Sequence, residues 1–133
     1  MNLSSYHTPI ERLLRESLND IVIEKRKDST SIKAILILAN SLPFFAGHFP
    51  NEPVFPAVLQ LSIVRLLSSE AIGCPLQNVL VRKTKFSHII RPEEKIILDI
   101  DLSLQNSEYV AVFTFSNDGQ VASSGRINYK IEG

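Results

Sequence analysis

Ile10, Leu13, Leu14 and Leu18 recur at the spacing of one helical face, directly behind the run Thr8-Pro9-Ile10-Glu11. Thr8 is placed to cap the helix, Pro9 has the fixed φ suited to the first helical position, and Glu11 can reach back to the cap amide. A short amphipathic helix is therefore predicted, its apolar stripe packed on the body of the protein and Arg12, Arg15 and Glu16 turned to water. Two β-rich runs follow, Ile21 to Arg26 and Ser31 to Leu38, separated by the polar cluster Lys27-Asp28-Ser29-Thr30, which predicts an antiparallel hairpin.

The pattern then breaks. Ser41 to Pro56 holds Pro43, Pro50, Pro53 and Pro56, and predicts a long shaped loop without regular structure. From Ala57 to Ile72 the chain is apolar almost all round and is closed by Gly73 and Pro75. Its length and end signals favour a helix, and its composition predicts one wrapped on most sides. Four further runs read as strands: Asn78 to His88, Lys95 to Leu104, Tyr109 to Phe115 and Val121 to Ile131. Turns are predicted at Arg91 to Glu94, Gln105 to Glu108 and Asn117 to Gly119, the last with the Asp-Gly pair of a tight hairpin. Helix, two strands, loop, buried helix and four strands make an α+β layout, with no repeat and no second domain boundary. Residues 1–133 read as one domain, with 1–18 as an N-terminal helical segment and 19–133 as the body.

Composition narrows the class. The chain has 133 residues, 44% hydrophobic and 21% charged, enough for one core that buries roughly two-thirds of the unfolded surface. Fourteen Lys and Arg balance fourteen Asp and Glu, so no global field draws polyanions, and no nucleic acid is expected as a partner. Cys74 is the single cysteine and no Cys/His cluster has zinc-ligand spacing, so neither a disulfide nor a metal is expected. The longest apolar run, Ala34 to Ala39, is too short to span a bilayer, and the N-terminus lacks a signal-peptide pattern. No membrane association is expected, and the cytoplasm is the expected compartment.

Within the Pro-rich span stands Phe45-Ala-Gly-His-Phe-Pro-Asn-Glu-Pro-Val-Phe-Pro-Ala-Val-Leu59. It resembles the active-site motif F-x-G-H-F-P-x-x-P-x-x-P-G-V-L of the hotdog-fold β-hydroxyacyl-acyl-carrier-protein dehydratases, and departs from it only at Ala57, where that family has glycine. Lys85-Phe86, Ile90 and Pro92 resemble the family's R/K-F-x-x-x-V-x-P segment, whose P-G-D continuation is Pro92-Glu93-Glu94 here. The resemblance runs roughly from Ile21 to Ile131. It implies a hotdog fold, a long central helix wrapped by an antiparallel sheet, and a homodimer whose two sheets join edge to edge. It further implies an acyl thioester of acyl carrier protein or coenzyme A as partner, and no cofactor.

Dehydrating a 3-hydroxyacyl thioester requires removing a proton beside the carbonyl, stabilising the enolate-like oxygen and protonating the departing hydroxyl. By this resemblance His48 is the acid/base, suited to it by the imidazole's titration near neutrality. The alternative for His48 is a structural histidine bonded to loop carbonyls. The amide of Ala57, at a helix start where N–H groups lack internal partners, resembles the family's oxyanion donor, and the Gly47 amide could support it. Where the family carries a catalytic glutamate this chain has Ser62, and the family's glutamine four residues on is Leu66. A serine hydroxyl is a poor proton donor, but Ser62 also invites a nucleophile reading with His48 as its base across the dimer interface. A helix serine bonded to the carbonyl four residues earlier is the plain alternative.

Two carboxylates, Glu52 and Glu70, stand near enough in sequence to be weighed as replacements for the glutamate. Glu52 reads as a solvated loop charge, and Glu70 stands roughly 12 Å further along the helix axis at ~1.5 Å per residue. His7 and His88 match no catalytic position of the family; His88 reads as surface-facing or interfacial and His7 as solvated. Phe44, Phe45, Phe49, Phe55 and Phe86 could line an acyl tunnel or belong to the core. Arg82, Lys83, Lys85 and Arg91 would suit an acidic carrier protein or coenzyme phosphates, or simply protect a strand edge. The leading expectation is a 3-hydroxyacyl-carrier-protein dehydratase-like protein of fatty-acid or polyketide-type synthesis. The alternatives are an acyl thioesterase and a non-catalytic thioester-binding or heterodimer subunit.

Overall fold

The computed structural model describes residues 8–45 and 54–132. Helix α1 (Pro9–Glu16) is followed by strands β1 (Leu18–Lys25) and β2 (Thr30–Leu36), helix α2 (Ala57–Ile72), and strands β3 (Leu76–Phe86), β4 (Ile96–Gln105), β5 (Glu108–Asn117) and β6 (Gln120–Ile131). The strands form one six-stranded antiparallel sheet in the order β1-β2-β4-β5-β6-β3. The expected α+β hotdog layout is what forms. One detail of the loop differs: Pro43–Phe45 closes a single 3-10 turn where no regular structure is predicted. Three residues suffice for one such turn, and Phe45 N–H donates to Leu42 O at 3.1 Å.

Alternation along the strands sends one set of side chains onto the helix. Ile32, Ala34 and Leu36 of β2, Ile96, Leu98, Ile100 and Leu102 of β4, and Phe113 and Phe115 of β5 are all buried. Against them α2 places Ile63, Val64, Leu66 and Leu67, also buried. Two tight hairpins fix the register of β4, β5 and β6. Asn106 and Ser107 at one, and Asp118 and Gly119 at the other, have φ between 50° and 81°, the twist that right-handed strands require of a two-residue turn.

Helix α1 forms as its capping pattern predicts. Glu11 N–H donates to Thr8 Oγ1 (3.2 Å) while Thr8 N–H donates to Glu11 Oε1 (3.0 Å). The outward face is not wholly solvated, however: Arg15 Nε donates to Glu70 Oε1 at 2.6 Å, and Arg65 pairs with Glu11. Both partners lie on α2, more than fifty residues away in sequence, so no local pattern announces them. At the other edge of the sheet, every residue of β3 after Leu76 is exposed, including Val79, Leu80 and Val81. Its pairing with β6 is broken by irregularities between Asn78 and Leu80 and between Arg82 and Lys85.

Candidate active site

The N-terminal end of α2 is reached from Phe55, whose N–H donates to Ile90 O at 2.9 Å. Pro56, extended at φ −63°, then caps the helix, and no side chain satisfies the first turn. Leu59 N–H and Gln60 N–H both return to Pro56 O. The amide of Ala57 has no acceptor among the described residues, and like any helix start it favours negative charge.

Gln60 fixes this corner. Although polar, it is only 4% exposed, and its amide is satisfied from both sides: Nε2 donates to Phe55 O (3.3 Å) and Oε1 accepts from Ser123 Oγ (2.6 Å). Ser123 stands on β6 opposite Phe86 of β3, so one buried relay ties the end of the loop, the first turn of the helix and the edge of the sheet together. Sequence reasoning passed over Gln60 and Ser123. A lone amide within an otherwise apolar helix is the signal that could have found the first, since a buried amide must find partners.

Beside this corner opens a cleft of about 210 Å³, lined by Phe55, Ala57, Gln60, Phe86, His88 and Ile90 among others. A complete small-molecule site occupies roughly 300–1,000 Å³, so these residues supply one wall of a site rather than an enclosure. Phe55, Ala57 and Phe86 are thus brought together. Phe55 is buried and Phe86 is 43% exposed, so one ring belongs to the core while the other can meet a ligand. His88 is exposed and anchored through its N–H to Ala122 O at 3.0 Å. Phe45 is buried in the core. His48, Gly47, Phe49, Glu52 and His7 lie outside the described residues.

Ser62 is one turn further along α2, half-exposed, and does not line this cleft. Its hydroxyl donates to Val58 O at 3.0 Å, the bond a helical serine makes to the carbonyl four residues before it. Glu70, the one carboxylate on this helix, is paired with Arg15.

The turn that follows β3 touches both ends of the Pro-rich loop. Ile90 O receives Phe55 N–H, Glu93 N–H donates to Leu38 O at 2.7 Å, and Asn40 N–H donates to Glu93 Oε1 at 2.8 Å. Glu94 closes the turn, accepting from Arg91 N–H and Asn117 Nδ2, both at 2.7 Å. Arg82, Lys83, Lys85 and Arg91 are all exposed along β3 and this turn. A second cleft, of about 390 Å³, lies at the far end of α2 between Ile72 and the β1–β2 turn, and none of the motif residues line it. Among the described residues, no group of three or more His, Cys, Asp or Glu side chains could hold a metal ion, and no helix is long and apolar enough to cross a membrane.

Comparison with known proteins agrees with this fold. Residues 24–126 match the model of the ApeI-like family, described as ApeI dehydratase. A 3-hydroxyacyl-[acyl-carrier-protein] dehydratase FabZ of Chlamydia pneumoniae is 33% identical over 100 residues, which is 68% of this chain and, at 65%, just under two-thirds of that relative. The FabZ of Caldicellulosiruptor saccharolyticus is 32% identical over 120 residues, 84% of each chain. Among solved structures, the dehydratase heterocomplex ApeI:P from Xenorhabdus doucetiae superimposes with a TM-score of 0.62 at 22% identity, over 84% of this chain and 99% of that one. The family match covers β2 to β5, the Pro-rich loop, α2 and part of β6, and on that match this chain belongs to the ApeI-like dehydratases of the hotdog fold.

Proposed function

We propose that this chain dehydrates 3-hydroxyacyl thioesters with His48 as its single acid/base. The observation that carries the proposal is the cleft at the start of α2, where the Ala57 amide, without an acceptor among the described residues, meets Phe55 and Phe86. By the resemblance of the Pro-rich motif, His48 is the acid/base that works with this amide. A thioester oxygen accepting from Ala57 N–H, with Gly47 N–H in support, acidifies the neighbouring carbon. His48 takes that carbon's proton. With serine at position 62, the same imidazolium then delivers the proton to the leaving hydroxyl; the C–O bond breaks, water departs and neutral imidazole is restored. Losing a separate, positioned acid costs typically about 10² to 10⁴ in rate, so turnover is slow. Exposed Phe86 forms the apolar side of the acyl site, to which the motif adds Phe49, while the buried Phe55 supports it from the core.

The carrier is an acyl carrier protein or coenzyme A, whose negative charge the exposed Arg82, Lys83, Lys85 and Arg91 suit. The assembly is a homodimer through the open edge of β3. The position of Ser62 outside its own chain's cleft supports this, because a second subunit must then present position 62 to the site. The same residue favours a second reading, in which the partner subunit is a different chain that carries a carboxylate there.

The test follows a 3-hydroxyacyl-carrier-protein substrate by enoyl absorbance and thiol release together. The proposal expects enoyl formation without thiol release, abolished in His48→Ala. Thiol release would mark a thioesterase with Ser62 or water as nucleophile. If neither signal appears, the chain binds thioesters without turning them over.

A further inference from the structure

We propose that Glu93 is a positioning residue, clamping the start of the loop that carries His48; the inference rests on the reading of His48 as the acid/base. Glu93 sits at φ 66°, in the left-handed region where glycine is at ease and a side chain is strained. It follows Pro92 at the third place of the turn Arg91–Glu94, the place at which such turns take glycine. The resembling P-G-D segment has glycine there, so the turn itself does not call for a carboxylate.

What the carboxylate adds is contact with another element. Its Oε1 accepts from Asn40 N–H, while its own N–H donates to Leu38 O, a two-point grip on the chain just before the Pro-rich loop. Three residues earlier, Ile90 O holds Phe55 N–H just before the loop rejoins α2. One short segment therefore pins both ends of the stretch between Leu38 and Phe55. The far end is held to Ile90 by backbone and is further secured by the Gln60 side chain. The near end has one backbone bond and one side chain, an acidic one with charge to strengthen its bond to the Asn40 amide. Fixing both ends limits where His48 can stand relative to the Ala57 amide, and misplacement of a reacting group by about 1 Å can cost on the order of 10²-fold in rate.

Glycine and glutamine separate the clamp from the turn. Glu93→Gly suits the left-handed backbone and removes only the side-chain grip, whereas Glu93→Gln keeps the Oε1 acceptor. The measurements are turnover of the 3-hydroxyacyl-carrier-protein substrate and the NMR signals of the His48 imidazole. The clamp predicts that Glu93→Gly keeps the wild-type melting temperature or exceeds it, yet loses about 10-fold or more in kcat. KM changes by no more than about twofold, because substrate binding is not what is lost. The His48 signals move in Glu93→Gly, and Glu93→Gln restores both them and kcat.

Unchanged turnover and unchanged His48 signals in Glu93→Gly would overturn the clamp. So would a Glu93→Gln protein that behaves like the glycine variant. If no variant, wild type included, forms the enoyl product, the proposed reaction is lost but the clamp is still decided: the His48 signals either move in Glu93→Gly and return in Glu93→Gln, or they do not.

Discussion

At Gly125 on β6, an added Cβ would stand 2.7 Å from Thr84 Cγ2 and 2.9 Å from Phe113 Cε1. Phe113 is its direct partner across β5 and is buried, so its ring cannot retreat without disturbing the core. Gly125→Ala is therefore expected to lower stability by about 1–3 kcal/mol, the usual cost of overpacking, read from the urea midpoint at an unchanged slope. Glu11 supplies a pH dependence. Burial raises the pKa of its carboxyl, but its bonds to Thr8 and the Arg65 guanidinium beside it more than reverse this and leave it below the ordinary 4.5. A depressed carboxylate stabilises the fold fully above that ordinary value and loses its contribution as pH falls through the folded value. Wild type should thus lose more melting temperature than Glu11→Gln on acidification from about pH 5 to about pH 3; equal losses would show that the pair contributes nothing. The local half of this arrangement, Thr8 with Glu11, is written in the sequence as a capping pattern. Its other half, Arg65, is not, and neither are Arg15 with Glu70 or Glu93 with Asn40, because each partner is set by packing between distant segments.

Helix α1 is short, and an eight-residue helix is marginal without its cap and its tertiary contacts. Thr8→Ala removes the side-chain acceptor for Glu11 N–H and should cost about 1 kcal/mol, visible as a lower melting temperature with the sheet unchanged by circular dichroism. The elements themselves follow closely from patterning. Alternation and polar turns mark β4, β5 and β6, and Pro56 with Gly73 brackets α2 between the residues where it forms. The Pro-rich loop is also marked, though not its 3-10 turn, since a single turn leaves no periodicity to read. What patterning does not supply is the neighbour of each strand. β3 lies beside β6 rather than beside β4, which follows it in the chain, and no run of residues predicts that order.

Across the whole molecule, the described part of the site is one corner: the amide of Ala57, the relay through Gln60 and Ser123, and the rings of Phe55 and Phe86 around a cleft that needs further walls. Its motif residues could be named in advance because catalysis of this kind ties them to fixed spacings. Ser123 and Glu93 could not, because any polar residue of suitable reach can hold another group, and Gln60 leaves only its place as a lone amide in an apolar helix as a signal. The central claim is that a dehydratase scaffold operates here without the carboxylate that its family carries on α2, with Ser62 turned back onto Val58 O instead. The most direct test compares enoyl formation by wild type and Ser62→Glu on the same 3-hydroxyacyl-carrier-protein substrate. The account predicts slow turnover by wild type and an increase of about 10² to 10⁴ with the glutamate; a Ser62→Glu protein that is folded, dimeric and no faster than wild type would contradict it.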